Sequence, residues 1–142
     1  MQVYTDDHTI VKLGFKADSV GSDYINANFI SGFHSDEEYI ACQAPLHSTV
    51  NDFFRMVIEH NVMIVVTLTQ CIEKGRSKCE KYWPSYDDIE DNDMVRPGGA
   101  DIDSGTGGHK ESPQLTFGDI TVELVSERME GEFIIRELKL IK

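Results

Sequence analysis

The spacing of apolar residues changes several times along the chain, and each change predicts an element. Between Asp23 and Ile30, aromatic and β-branched residues mix with polar ones in loose alternation, which predicts a strand. Tyr39–Gln43 predicts a second strand, ended by Ala44-Pro45. From Ser48 to Glu59 the period lengthens. Val50, Phe53, Phe54, Val57 and Ile58 fall at i, i+3, i+4, i+7 and i+8, a single helical stripe. Ser48 is the expected N-cap, and Asp52 sits in the first turn, where the helix dipole favours a negative charge. Val62-Met-Ile-Val-Val-Thr-Leu68 is apolar almost throughout, the pattern of a strand covered on both faces. Strand, helix and strand in that order over residues 39–68 predict an α/β or α+β domain. Ile120–Val125 and Phe133–Leu140 predict a closing pair of strands turned by Glu130-Gly131-Glu132.

Between two structured blocks, about 8–84 and 114–142, lies a polar stretch over 85–113. It holds Asp87-Asp88, Glu90-Asp91 and Asp93, then a run rich in glycine from Gly98 to Gly108. Such a composition buries too little apolar surface to order itself, so a flexible surface insertion is expected. Asp101 and Asp103 have the opening spacing of a calcium loop. The fifth position of that loop is Gly105 and the twelfth is Ser112 rather than Glu, so the calcium-loop pattern fails.

Length and charge narrow the classes. A chain of 142 residues with 40% hydrophobic content fits one soluble domain. The net charge of −12 argues against nucleic acid or an anionic membrane as partner, and any phosphate site would need local cations. Cys42, Cys71 and Cys79 form neither a disulfide framework nor the paired spacing of structural zinc, and the scattered histidines show no ligand spacing. Neither a metal nor a cofactor is therefore expected. The first residues lack the basic and apolar regions of a signal peptide, and the longest apolar run is too short to span a bilayer. Reduced thiols place the segment in the cytoplasm or on the cytosolic side of a membrane, without membrane contact of its own.

Three strings carry a resemblance. They are Asp23-Tyr-Ile-Asn-Ala-Asn-Phe-Ile30, Tyr39-Ile-Ala-Cys-Gln-Ala-Pro-Leu46 and Thr49-Val-Asn-Asp-Phe-Phe-Arg-Met56. They are followed by Ile64-Val-Val-Thr-Leu68 and by Glu73-Lys-Gly-Arg-Ser-Lys-Cys-Glu-Lys-Tyr-Trp-Pro84, with weaker matches at Gly118–Val122 and Arg136–Leu138. In this order they closely resemble the cysteine-dependent, phosphotyrosine-specific protein tyrosine phosphatases. The Gly-Arg-Ser-Lys-Cys form around Lys78 is most similar to receptor-type members. The resemblance implies an incomplete version of that fold over 1–142, its N-terminal half, with a mixed twisted sheet and flanking helices. For a complete domain it also implies hydrolysis of phosphotyrosine on proteins.

That hydrolysis needs a cysteine thiolate as nucleophile, made acidic by nearby cations or a helix N-terminus. It needs backbone N–H groups and an arginine to hold the phosphoryl oxygens, and a carboxylic acid to protonate the leaving phenolate. In the family these sit on a Cys-x5-Arg loop and a Trp-Pro-Asp loop. Here the residue six after Cys42 is Ser48, six after Cys71 is Ser77, and six after Cys79 is Ser85. Trp83-Pro84 is followed by Ser85 and matches the family's Tyr-Trp-Pro segment instead. Nothing around Tyr4 matches the phosphotyrosine-stacking loop. No residue of this chain is therefore expected to act as nucleophile or acid, and the segment alone is expected to be inactive.

The resemblance implies positioning roles for two residues. Glu73 matches the glutamate that orients the phosphate-binding arginine, and Lys78 matches a lysine reaching toward the edge of the active site. Read without the resemblance, Glu73–Lys78 is a charged, glycine-containing loop after a buried strand, a place where functional groups gather but where solvated charge is commoner. Asp23, Tyr24, Asn26, Tyr82, Trp83 and Pro84 are framework residues on the same grounds, with Asn26 expected inside and satisfying backbone groups. Cys42 and Cys79 read as small core residues. An alternative is a non-catalytic, pseudophosphatase-like interaction fragment whose acidic insertion meets a basic partner. It would leave an apolar sheet edge open, which favours aggregation.

Overall fold

The computed structural model describes residues 8–17, 21–86 and 112–142. Most of the expected insertion, Asp101 and Asp103 included, lies outside the described residues, as does Tyr4. The chain forms two compact units, Met1–Glu80 and Lys81–Lys142.

The first unit opens with strands β1 (Ile10–Lys12), β2 (Tyr24–Ile30) and β3 (Tyr39–Cys42), joined in that order into an antiparallel sheet. β2 and β3 fall where alternation predicts them. β1 is three residues long, too short for a pattern to announce it. Val11, Leu13 and Ala27 are buried.

Helix α1 (Val50–Glu59) follows, and four of the five residues of the predicted stripe, Val50, Phe53, Phe54 and Val57, are sealed from solvent; Ile58 is only half-buried, while Arg55 and Met56 join the buried face. The helix starts one residue later than a Ser48 cap implies. The cap is Thr49, not Ser48, and makes no side-chain cap bond. The Thr49 hydroxyl instead accepts the N–H of Leu46 at 2.9 Å, closing the turn before the helix. The far end is a Schellman stop. Asn61 takes a left-handed φ of 52°, its N–H bonds to the Ile58 carbonyl, and the Val62 N–H bonds to the Val57 carbonyl at 2.9 Å.

The next expectation is overturned. Val62–Leu68 is not a strand and is not buried. Met63, Ile64, Val66 and Leu68 are 75–92% exposed. Continuous apolarity is the signature of a central strand, but such a strand exists only when neighbours accept its hydrogen bonds on both sides. Among the described residues no strand lies alongside it. Beyond it, β4 (Ile72–Glu73) and β5 (Arg76–Ser77) form a short hairpin. Its two turn residues, Lys74 and Gly75, have φ of 51° and 75°, the paired left-handed conformation of a tight hairpin turn.

The second unit is the antiparallel sheet β6 (Gln114–Phe117), β7 (Ile120–Glu130) and β8 (Phe133–Ile141). Gly118 and Gly131 supply the positive φ at the two turns. The predicted closing strands are present, with β7 extended to Glu130. Along β7 the alternation is strict at first, with Ile120, Val122 and Leu124 at 0% exposure. A bulge between Leu124 and Ser126 then breaks the register. Ion pairs hold the hairpin on either side of the bulge, Lys139 with Glu123 at 3.4 Å before it and Arg136 with Glu127 at 2.6 Å past it. Every ladder is antiparallel, and α1 is the single helix among the described residues, so the architecture is α+β.

Candidate functional site

The framework residues fall into two places. Asp23, Tyr24 and Asn26 lie at the start of β2. The Asp23 carbonyl accepts the N–H of Leu13 at 3.0 Å, tying β2 to the end of β1. Asn26 is half-buried rather than fully inside. Its side-chain amide donates to the Gln43 side chain at 2.9 Å, and the Gln43 N–H donates to the Asn26 carbonyl at 3.3 Å. Side chain and carbonyl together clasp the end of β3. Tyr24, Asn26, Gln43, Pro45, Asp52 and Phe53 line a shallow cavity of about 70 Å³. In the second unit Tyr82 and Pro84 are buried. Tyr82 meets the Trp83 ring edge-on at 4.9 Å, and the Arg136 guanidinium lies 5.0 Å over the Trp83 ring.

Glu73 and Lys78 belong to the β4–β5 hairpin. Glu73 closes β4 opposite Arg76, and Lys78 directly follows β5. The Lys78 N–H donates to the Cys71 carbonyl at 2.8 Å, extending the ladder by one rung. Both side chains are exposed, and neither takes part in a salt bridge among the described residues. Residues 73–78 therefore form a short hairpin closed by a two-residue turn, presenting a carboxylate and an ammonium to solvent.

Sequence reasoning passed over the best-connected side chain of this unit. Arg55 is 2% exposed, on the buried face of α1. It donates to Asp52 Oδ1 at 2.8 Å, to the Ser22 carbonyl at 3.0 Å and to the Gly14 carbonyl at 2.6 Å. Glu59 Oε1 lies 3.6 Å from its Nε, too far for a hydrogen bond, while Glu59 Oε2 accepts the N–H of Gly14 at 2.7 Å. One guanidinium thus binds the helix to the chain on both sides of the β1–β2 connection. The available signal was an arginine with acids at i−3 and i+4 inside an apolar stripe.

Of the three thiols, Cys79 is buried as expected and Cys42 is exposed, so Cys42 is not the core residue its neighbours suggested. Burial pushes the Cys79 thiol up to about 11, helped by its contact with Cys71 and by the negative charges of Glu80 and Glu73. Its ordinary value is 9.0, so the folded chain holds this proton more tightly than the unfolded one. The resulting stability is complete below about pH 9 and is lost as pH rises toward 11. Denaturant titrations at stepped pH should show that loss, and Cys79→Ala should flatten it. Parallel losses in parent and variant would refute the shift.

Compared with known proteins, the chain matches the sequence model of the family described as protein-tyrosine phosphatase over residues 1–142. It is 40% identical over 131 residues to the mouse receptor-type tyrosine-protein phosphatase eta, covering 92% of this chain and 8% of that one. It is 54% identical over 80 residues to human tyrosine-protein phosphatase non-receptor type 12, covering 56% of this chain and 10% of that one. It is also 42% identical over 130 residues to the human phosphatidylinositol phosphatase PTPRQ, covering 92% of this chain and 4% of that one. The chain thus spans a tenth or less of the length of these relatives. Among the described residues no helix is long and apolar enough to cross a membrane.

Proposed function

Because this chain belongs to the protein-tyrosine phosphatase family, we propose that it is the N-terminal framework of a domain that hydrolyses phosphotyrosine on proteins through a cysteinyl-phosphate intermediate, and that its 142 residues alone turn over no substrate. The observation that carries both halves is the motif series itself. The framework strings run in order from Asp23 to Pro84, and no Cys-x5-Arg occurs at Cys42, Cys71 or Cys79. Without that loop no thiolate is paired with an arginine fork and a nest of N–H groups, so phosphorus has no attacker and its oxygens no clamp. The raised Cys79 thiol points the same way, because a phosphate-attacking cysteine must be acidic.

In the complete domain the β4–β5 hairpin supplies positioning groups. Glu73 orients the phosphate-binding arginine through a carboxylate–guanidinium pair, and Lys78 adds a cation at the rim of the site, where the chain's net charge of −12 would otherwise repel a phosphorylated substrate. The support is that both are exposed on the flanks of this hairpin and have no salt-bridge partner among the described residues.

The purified chain should release phosphate from an aryl phosphate no faster than the buffer blank. Turnover that vanishes with Cys42→Ser, Cys71→Ser or Cys79→Ser would refute the proposal. A chimera in which these residues replace the matching stretch of the mouse receptor-type phosphatase eta tests the positive half. It should hydrolyse a phosphotyrosine peptide in preference to a phosphatidylinositol phosphate, and Glu73→Gln or Lys78→Ala should lower its kcat/KM roughly tenfold, the worth of about 1.4 kcal/mol. Full activity in both variants would remove the positioning roles.

A further inference from the structure

We propose that Cys71 and Cys79 form a redox pair, which a peroxide converts to a disulfide across the base of the β4–β5 hairpin. The two sulfurs are 3.7 Å apart, already in contact, although eight residues separate them in sequence. The hairpin brings them there. Its left-handed turn at Lys74-Gly75 fixes the register Ile72↔Ser77 and Glu73↔Arg76. The Lys78 N–H to Cys71 carbonyl bond adds the next rung, so Cys79 follows immediately beside Cys71. Neither thiol is in a disulfide, and their exposures are complementary: Cys71 is half-exposed, and Cys79 is buried.

That asymmetry sets the order of events. The Cys71 thiolate meets the oxidant first and attacks one peroxide oxygen. The O–O bond breaks, the departing oxygen leaves as water after taking up a proton, and Cys71 becomes a sulfenic acid. The Cys79 sulfur then attacks the sulfenic sulfur. The S–O bond breaks, and the hydroxide takes the Cys79 proton and leaves as a second water. The two sulfurs together lose two electrons, and the peroxide gains them. Because the Cys79 thiol holds its proton, it serves as the resolving partner rather than the first target. Cys42 lies elsewhere on β3, and desolvation of its sulfur raises its thiol above the ordinary value, so it is expected to stay a thiol under the same mild treatment.

Closing this bond covalently locks the hairpin that carries Glu73 and sets Lys78 directly beside a cross-link. Control of a phosphatase through that lock rests on the roles proposed above for those two residues, whereas formation of the disulfide rests on the sulfur geometry alone.

The purified chain is treated with hydrogen peroxide, alkylated and digested with trypsin without reduction. Lys74, Arg76 and Lys78 lie between the cysteines, so trypsin separates them and only a disulfide holds peptide 56–74 to peptide 79–81. The expected result is that joined pair, with alkylatable thiols falling from three to one and returning to three on reduction. Cys71→Ser, at the half-exposed position, should abolish the pair without disturbing the core, and Cys42→Ser should leave it intact. Sulfinic acid at Cys71 with Cys79 still alkylatable would overturn the proposal, as would a pairing that includes Cys42 or a second chain. The phosphatase reading can fail in the chimera while this cross-link forms, so the two results are separable.

Discussion

Replacing Arg55 with alanine is expected to melt the first unit, with a loss of about 3–5 kcal/mol out of the 5–15 kcal/mol typical of a whole domain. The size follows from what the side chain leaves behind. Its removal orphans the carbonyls of Gly14 and Ser22, which it now reaches at 2.6 and 3.0 Å. It also leaves Asp52 and Glu59 facing a vacated site with no cation between them. Their side chains are 35% and 28% exposed, so water recovers part of the loss and the lower end of the range applies. Arg55→Lys should recover little, because an ammonium on a single stem cannot span two carbonyls and a carboxylate as the planar fork does. Arg55→Met, which keeps the volume, separates packing from bonding. Far-UV circular dichroism at 222 nm follows α1 directly. A melting curve for Arg55→Ala that overlays the parent's would show that the three bonds contribute nothing.

The second large effect concerns Val62–Leu68. Seven residues of high β-propensity, without charge, proline or glycine, stand open to solvent, with Met63 at 90% and Leu68 at 92% exposure. This is the composition of a segment that pairs edge to edge with any strand it meets. The chain should therefore bind an apolar dye strongly and scatter light at low concentration. Ile64→Lys with Val66→Lys should lower dye binding severalfold and raise the concentration at which scattering begins by about an order of magnitude, since a charge placed within a sticky strand blocks its pairing. Neither change touches the buried stripe of α1, so the helix signal should persist. Equal dye binding and scattering in parent and variant would place the exposed apolar surface elsewhere.

These two regions also show how far the residues alone could be read. The stripe Val50, Phe53, Phe54, Val57 needs only one buried side, and a helix reports that side in its own period. Its prediction therefore survives to within two residues at one end. The closing hairpin was legible for a similar reason, because Gly131 marks the turn and the two strands satisfy each other. Val62–Leu68 failed because its pattern describes an environment and not an element: apolarity on both faces states what must cover a strand, not that the cover is at hand. Arg55 was passed over because its partners are mostly carbonyls of Gly14 and Ser22, which carry no residue identity for a pattern to detect. The motif residues Glu73 and Lys78 could be picked out by resemblance, but the tight turn between them came only from the backbone, as did the meeting of Cys71 with Cys79.

The Arg136 guanidinium over Trp83 has a consequence in optical terms. Trp83 is the one tryptophan in the chain, and both described groups against its ring, Tyr82 and Arg136, belong to the second unit. Its emission depends on whether β8 holds a cation over the indole. α1, the single described helix, dominates the ultraviolet dichroism and lies wholly in the first unit. The molecule thus carries two spectroscopic signals of separate origin, and one unfolding experiment read at both wavelengths resolves the fate of each half of the chain.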